Sequence, residues 1–444
     1  MTAASQRTLA QVIAGRSSAK TAHFMPCQRT YYPEPLTLVS GDGVYVTDDA
    51  GRRYLDFFAG IAVLIIGHGN PKVRAALHEQ VDKIVHTSTL YLNEPVISLA
   101  DRIAGLSPAG MDSVFFGNSG TEANELAGVL ARHFTGRKDF LALAGSYHGR
   151  SVWTVGVSGL AAWRNFGAEP ANIVFVPNAY CYRCPLGLTY PSCEIACART
   201  IETAVKSQPP DSIAALYAET IQGVGGIVTP PPEYYSVVKE ILDRYGILLI
   251  ADEVQTAWGR LGGHLFGVND WGVMPDIVTS AKGLAGGLPI SVVITRREIA
   301  DSYPGPHINT FGGNPLSARA AEATLDVIQE ERLADNAKTM GDALLAELKA
   351  MMGSHPFIGE VRGRGLMIGV ELVEDRVTKR PATRATEFVV NACKEGGLLV
   401  GRGGQFNNTI RIQPPLTITA DHVKHACGII GDALRQAERE FVAA

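Results

Sequence analysis

The chain has 444 residues, of which 46% are hydrophobic and 19% charged, with a formal net charge of −4; that length supports one large domain and a smaller one, each with its own core. Lys and Arg are scattered and outnumbered by acids, which excludes an electrostatic surface for nucleic acid. No apolar run reaches membrane-spanning length: the stretch 57–66 is broken by Gly60 and stops at Gly67.

The first 27 residues carry Arg7, Arg16 and Lys20, no acid, and many Ser, Thr and Ala. That composition loosely resembles a mitochondrial transit peptide, and it equally describes a surface arm. The arm is the reading taken, on a cytoplasmic protein; seven cysteines without a secretion signal fit a reducing compartment.

Residues 43–58 read as short strands with the turn signals GDG and DDAG. From about 110 to 295, short β-branched runs alternate with helix-like segments, the pattern of a mostly parallel sheet covered on both faces. The expected strands are 113–116, 140–144, 173–176, 214–218, 247–251, 277–280 and 290–295. Beyond them come helices at 333–351, 385–394 and 420–440, with strands in 359–371 and 409–412. The expected organisation is an N-terminal segment, 1–69, joining a C-terminal small α+β domain, 326–444, around a large domain, 70–325.

In open α/β sheets ligands sit at the carboxyl ends of the strands. Three such ends stand out: Ser119-Gly120-Thr121 opening a helix, Asp252, and Lys282 in the stretch DIVTSAKGLAGGLP. A desolvated lysine loses proton affinity, and the neutral amine attacks an aldehyde; alone, a strand-end lysine is also an ordinary snorkelling residue. Asp252 follows the apolar run Gly246-Ile-Leu-Leu-Ile-Ala251, so its carboxylate lies deep in the sheet and needs a cation, such as a protonated pyridine ring. The Ser-Gly-Thr turn offers N–H groups and a helix dipole to a phosphate, although it also reads as a plain helix cap. The three together specify pyridoxal 5′-phosphate better than any one of them.

The ordered motifs NSGTEANE, SYHGR, IADEVQTAWGR, DIVTSAKGLAGGLP, TFGGNPLSA, VRGRGLMIGVEL and RIQPPLT resemble those of the class III (ω-amino acid) aminotransferases, over about 42–416. The resemblance implies an α/β protein of pyridoxal-phosphate fold type I, with a mostly parallel seven-stranded sheet. It implies Lys282 as the Schiff-base lysine and Asp252 as the partner of the ring nitrogen. Ser119, Gly120 and Thr121 correspond to the phosphate cradle, and Tyr147 and His148 belong to the SYHGR motif, whose tyrosine stacks on the ring. Val254 matches the apolar contact under the ring, Gln255 the neighbour of the ring hydroxyl, and Glu219 a structural glutamate near the cofactor. Thr310 matches a threonine that reaches the phosphate of a neighbouring subunit, so a homodimer or dimer of dimers with shared sites is expected. Arg411 matches the arginine for a substrate carboxylate; on residue pattern alone, flanked by Ile410 and Ile412, it also fits an edge strand.

Two departures matter. Members using glutamate or 2-oxoglutarate commonly carry a glutamate two residues after the Gln of IQG; here Gln222-Gly223 precedes Val224, so that switch on Arg411 is absent. The likeness is closer to the alanine–glyoxylate type 2 and β-alanine–pyruvate branch, with pyruvate or glyoxylate as acceptor for β-alanine, 3-aminoisobutyrate, 4-aminobutyrate or alanine. The second departure is a loop with Cys181, Cys184, Cys193 and Cys197. Its thiols are expected to stay reduced or pair reversibly and no metal is assigned, with Zn²⁺ or an iron–sulfur cluster as the alternative. A lyase acting on a phosphorylated or phosphonate amine, or an epimerase, uses the same Lys and Asp and is the alternative reaction. A dinucleotide-dependent dehydrogenase is disfavoured because no glycine cluster forms GxGxxG after a strand.

Overall fold

The computed structural model describes residues 23–164 and 172–441, except 26 and 29. The N-terminal basic stretch lies almost entirely outside the described residues. The chain begins with three short strands, β1 (Leu38–Asp42), β2 (Tyr45–Asp48) and β3 (Arg53–Asp56), and then lays down a central sheet. That sheet contains β4 (Ser113–Gly117), β5 (Asp139–Leu143), β6 (Ile173–Val176), β7 (Ile213–Glu219), β8 (Leu248–Asp252), β9 (Ile277–Ser280) and β10 (Ser291–Thr295). Their order is β4-β10-β9-β8-β7-β5-β6, seven strands in all. β10 runs antiparallel to both its neighbours, β4 and β9, and the other pairs are parallel. Each strand lies within a residue or two of its expected position, because short β-branched runs flanked by Gly, Pro and polar turns read as strands by their length and composition.

The inner strands β7 and β8, IAALYAE and LLIAD, are buried at every residue, as strands covered on both faces must be. Leu249 and Ala251 join the core on one face, with Ala218 and Val278; Leu248 and Ile250 join the other, with Tyr217 and Leu126. Parallel register aligns Glu219 with Asp252 and Asp252 with Thr279. Two carboxylates and the start of the Lys282 loop are thereby brought to one row at the carboxyl edge.

The rest of the chain forms β11 (Ile358–Arg364), β12 (Met367–Leu372), β13 (Leu398–Leu399), β14 (Gly401–Gly403) and β15 (Thr409–Ile412), with helices Leu333–Met351, Thr383–Glu395 and Ala420–Phe441. β11, β12, β15 and β14 make an antiparallel sheet in that order. The two ends of the chain meet where β13 pairs in parallel with β3. No described helix is long and apolar enough to cross a membrane.

Candidate active site

A cleft of about 360 Å³ opens at the carboxyl edge of the central sheet. Its walls include Ser119, Gly120, Thr121, Tyr147, His148, Glu219, Asp252, Val254, Gln255 and Lys282, which the sequence scatters over more than 160 positions. Volumes of this size suit a small organic ligand.

Asp252, the last residue of β8, is buried at the cleft floor. Its Oδ2 accepts from Asn124 Nδ2 at 2.9 Å and pairs with His148 Nδ1 at 2.7 Å, and its Oδ1 accepts from Val254 N–H at 3.0 Å. A carboxylate has about four acceptor positions, so these three donors leave room for one more. Asn124 is itself held by Thr279, whose hydroxyl donates to its Oδ1 at 2.7 Å. The carboxylate is thus fixed in direction by β8, by β9 and by the helix Gly120–Thr135.

Lys282 stands just beyond β9 with φ of +37°, an unusual backbone conformation for a residue with a Cβ, in a tight turn that runs to Ala285. Its amine makes no hydrogen bond or ion pair to the described residues, while part of the side chain remains open to the cleft. The dense surroundings hold its ammonium down to about 8, against an ordinary 10.5; Asp252 opposes that effect and Arg411 adds to it. Such an amine is available in its nucleophilic form near neutral pH.

The helix Gly120–Thr135 begins at the cleft. Ser119 is its N-cap, accepting from Glu122 N–H, and Gly136 at φ +69° ends it. The cap reading and the anion reading therefore coexist at one place. A Cβ on Gly120 would lie 3.0 Å from both methyls of Val254, so the close approach of this turn to Val254 requires glycine. The Thr121 hydroxyl sits 2.6 Å from Thr154 Oγ1 and 3.1 Å from Ser151 Oγ, and accepts from the N–H groups of Arg150 and Ser151. It braces the adjoining loop as well as lining the cleft.

Glu219 closes the row on β7. Its carboxylate accepts from Tyr147 N–H and Gly223 N–H, both at 2.8 Å, while burial pushes its acid up to about 7. Tyr147 packs edge-on against Trp163 with ring centres 5.1 Å apart.

Arg411 lies on β15 between β12 and β14, not at an edge, and is 4% exposed. Its Nη2 donates to Gln255 Oε1 and Gln413 Oε1, each at 2.9 Å, and its Nε has no partner among the described residues. Phe58 lies beside the guanidinium, 5.4 Å from ring centre to Cζ. Burial pulls the guanidinium down to about 10. Arg411 does not itself line the cleft but is hydrogen-bonded to Gln255, which does.

Thr310 is placed elsewhere. It is exposed on a loop flanked by exposed Ile308 and Phe311, away from the residues that line the cleft of its own chain. Sequence reasoning missed Asn124 and Gln413, the polar residues that orient Asp252 and Arg411. Asn124 carried a signal, a polar side chain on the sheet-facing side of its helix next to Ala123 and Ala127.

This geometry fits pyridoxal phosphate: an unpaired amine, a floor carboxylate with one free acceptor position, and a glycine-dependent helix start surround one cleft. The chain matches the family described as "Aminotransferase class-III" over residues 27–434. It is 40% identical over 405 residues to alanine–glyoxylate aminotransferase 2 homolog 2, mitochondrial, of Arabidopsis thaliana, covering 91% of this chain and 84% of the relative. It is 41% identical to a leucine/methionine racemase of Thermococcus litoralis, over 86% of this chain and 87% of the racemase. Among solved structures, an amine transaminase from an uncultivated Pseudomonas species in its PLP-bound (internal aldimine) form superposes with a TM-score of 0.87 at 33% identity, covering 94% of this chain and 98% of that one.

Proposed function

The chain belongs to the class III aminotransferases, and we propose that it moves the amino group of a small ω-amino acid or alanine to pyruvate or glyoxylate by ping-pong turnover. Its cofactor, pyridoxal 5′-phosphate, supplies when bound an aldehyde that condenses with amines and a protonated ring that draws off the electrons of a broken C–H bond. Lys282 would be the chain's own amine for that aldehyde, and its free Nζ would serve as the base that holds and moves a proton. Asp252, aimed by Asn124 and His148, would keep the proton on the ring nitrogen. Ser119, Gly120 and Thr121 would hold the phosphate, Tyr147 and Val254 would enclose the ring, and Gln255 would sit beside the ring hydroxyl.

The observation that carries the substrate class is Arg411. A buried guanidinium held only by neutral amides, with its Nε unpartnered, suits a carboxylate that arrives with the substrate. Because Val224 stands where a glutamate switch would neutralise it, small acids with one carboxylate fit better than 2-oxoglutarate.

A homodimer with shared sites is part of this reading. Exposed Leu90, Tyr91, Leu92, Ile308 and Phe311 support it, because together with Thr310 they leave a large apolar area of the monomer unpartnered. The cytoplasm is the proposed compartment, on the strength of seven cysteines that are all free thiols.

The test is a single turnover on cofactor-loaded enzyme. β-Alanine alone should convert the cofactor's absorbance to that of its amine form, and pyruvate or glyoxylate should restore it. The racemase among the relatives gives a second reading its own assay: L-alanine without an oxo acid, followed by chiral chromatography. Appearance of D-alanine with the absorbance unchanged would favour racemisation.

A further inference from the structure

The 19 residues 177–195 join β6 to the helix Ala196–Lys206 with no regular structure beyond one short turn, Cys181–Arg183. A connection of this length without secondary structure needs something else to hold it. Its ends are anchored by buried Ala179, Tyr180 and Ile195, while Leu186, Leu188 and Tyr190 in its middle are 36%, 45% and 37% exposed. Cys181, Cys184, Cys193 and Cys197 all line one hollow of about 10 Å³, and all four are free thiols.

We propose that these four cysteines are a structural site for a single zinc ion, which fixes the turn 180–184 against the sheet that carries Arg411. The pairs are C-x2-C and C-x3-C, both within the spacing of tetrathiolate zinc sites. The hollow has space near that of one water, which leaves no room for an organic molecule. No described group of His, Cys, Asp or Glu forms a ready-made metal cage, so binding the ion would require the thiols of the two pairs to turn toward one another. Zn²⁺ displaces the thiol protons to solvent, with no change of oxidation state.

The residues between and beside the first pair show what the ion steadies. Tyr180 and Arg183 both donate to Glu371, which Arg362 also holds at 2.6 Å, and Lys379 Nζ donates to Tyr182 O at 2.7 Å. Glu371 lies on β12, whose Gly369 is paired with Arg411 on β15. The loop is a clasp between the central sheet and the sheet of the carboxylate-binding arginine.

The experiment uses the full chain with its cofactor, purified without chelator. Mass spectrometric metal analysis should find about one zinc per chain, and replacement by Co²⁺ should give the intense thiolate charge-transfer bands of a tetrathiolate site. Cys184→Ser should lose those bands and Cys27→Ser should keep them. Should Cys184→Ser fail to fold, the wild-type protein answers instead: a chelator should expose four further thiols to maleimide. Metal-free protein whose four thiols react without chelator, or an intact mass lowered by two hydrogens per disulfide, overturns the proposal.

Discussion

Arg411 and Gln255 are joined by a hydrogen bond of 2.9 Å from guanidinium to amide oxygen, and no described carboxylate pairs with the arginine. A substrate carboxylate therefore competes with a neutral amide for Arg411, not with a charge. Arg411→Gln should raise KM for β-alanine by about 100-fold, the worth of a bidentate charge-assisted pair, with kcat within a few fold. A simple alkylamine donor should be unaffected. Equal losses for both donors would show that Arg411 serves the fold and not the carboxylate.

Gln255→Glu tests the same relationship from the other side. A carboxylate in place of the amide would pair permanently with Arg411, so KM for β-alanine should again rise, by about tenfold or more. The alkylamine should instead be tolerated, since the introduced charge has a partner. Steady-state kinetics with the two donors separate these outcomes.

Asp252 is held by donors from two directions, and its neighbours should matter in order of charge. Asp252→Asn should lower kcat by about 100- to 1,000-fold, the scale of losing one well-placed electrostatic group. Asn124→Ala removes one bond to that carboxylate and leaves His148 O and the Thr279 hydroxyl without a partner. A loss of about 1–3 kcal/mol in stability is expected with a smaller fall in kcat, read by thermal unfolding beside the kinetics. Unchanged unfolding would mean the network relaxes without cost.

The central sheet, the cleft-edge residues and their order were legible because each strand is a short apolar run and each functional residue follows one. Asp252 after Leu-Leu-Ile-Ala is the plainest case, a charge at the end of a run with no other reason to carry one. Arg411 was ambiguous for a physical reason: Ile410 and Ile412 alternate with it on any strand, and only pairing to both β12 and β14 shows that it is central. The neutral character of its partners was not legible, since Gln255 and Gln413 lie 156 and 2 residues away from it. The hollow shared by the four cysteines was equally hidden, because spacing gives the pairs but not whether the pairs face each other.

Gly120 and Val254 give a steric prediction. Gly120→Ala places a methyl 3.0 Å from Val254 Cγ1 and Cγ2, tighter than ordinary packing, so overpacking of about 1–3 kcal/mol should appear as weaker cofactor retention. Val254→Ala opens that space, and the double variant should recover part of the loss. Cofactor dissociation on dialysis, followed by absorbance, measures it; the absence of any recovery would place the defect in the helix start instead.

Lys282 carries the pH prediction, and its sign follows from burial. The amine is held to about 8 in the folded protein against an ordinary 10.5. Between those values the unfolded chain binds a proton that the folded chain does not, so stability of the cofactor-free protein should rise with pH across that window. Below about 8 both states are protonated and the burial penalty is present in full. Lys282→Met removes the penalty: the cofactor-free variant should melt above wild type near neutral pH, with the difference shrinking as pH rises, while transamination is abolished. The same titration governs capture of pyridoxal phosphate by the cofactor-free protein, which needs the neutral amine. Its rate constant should climb with pH and level off above about 8, the value set by burial. A rate independent of pH through that range would mean that another group limits capture, and the assignment of Lys282 as the attacking amine would then rest on the variant alone.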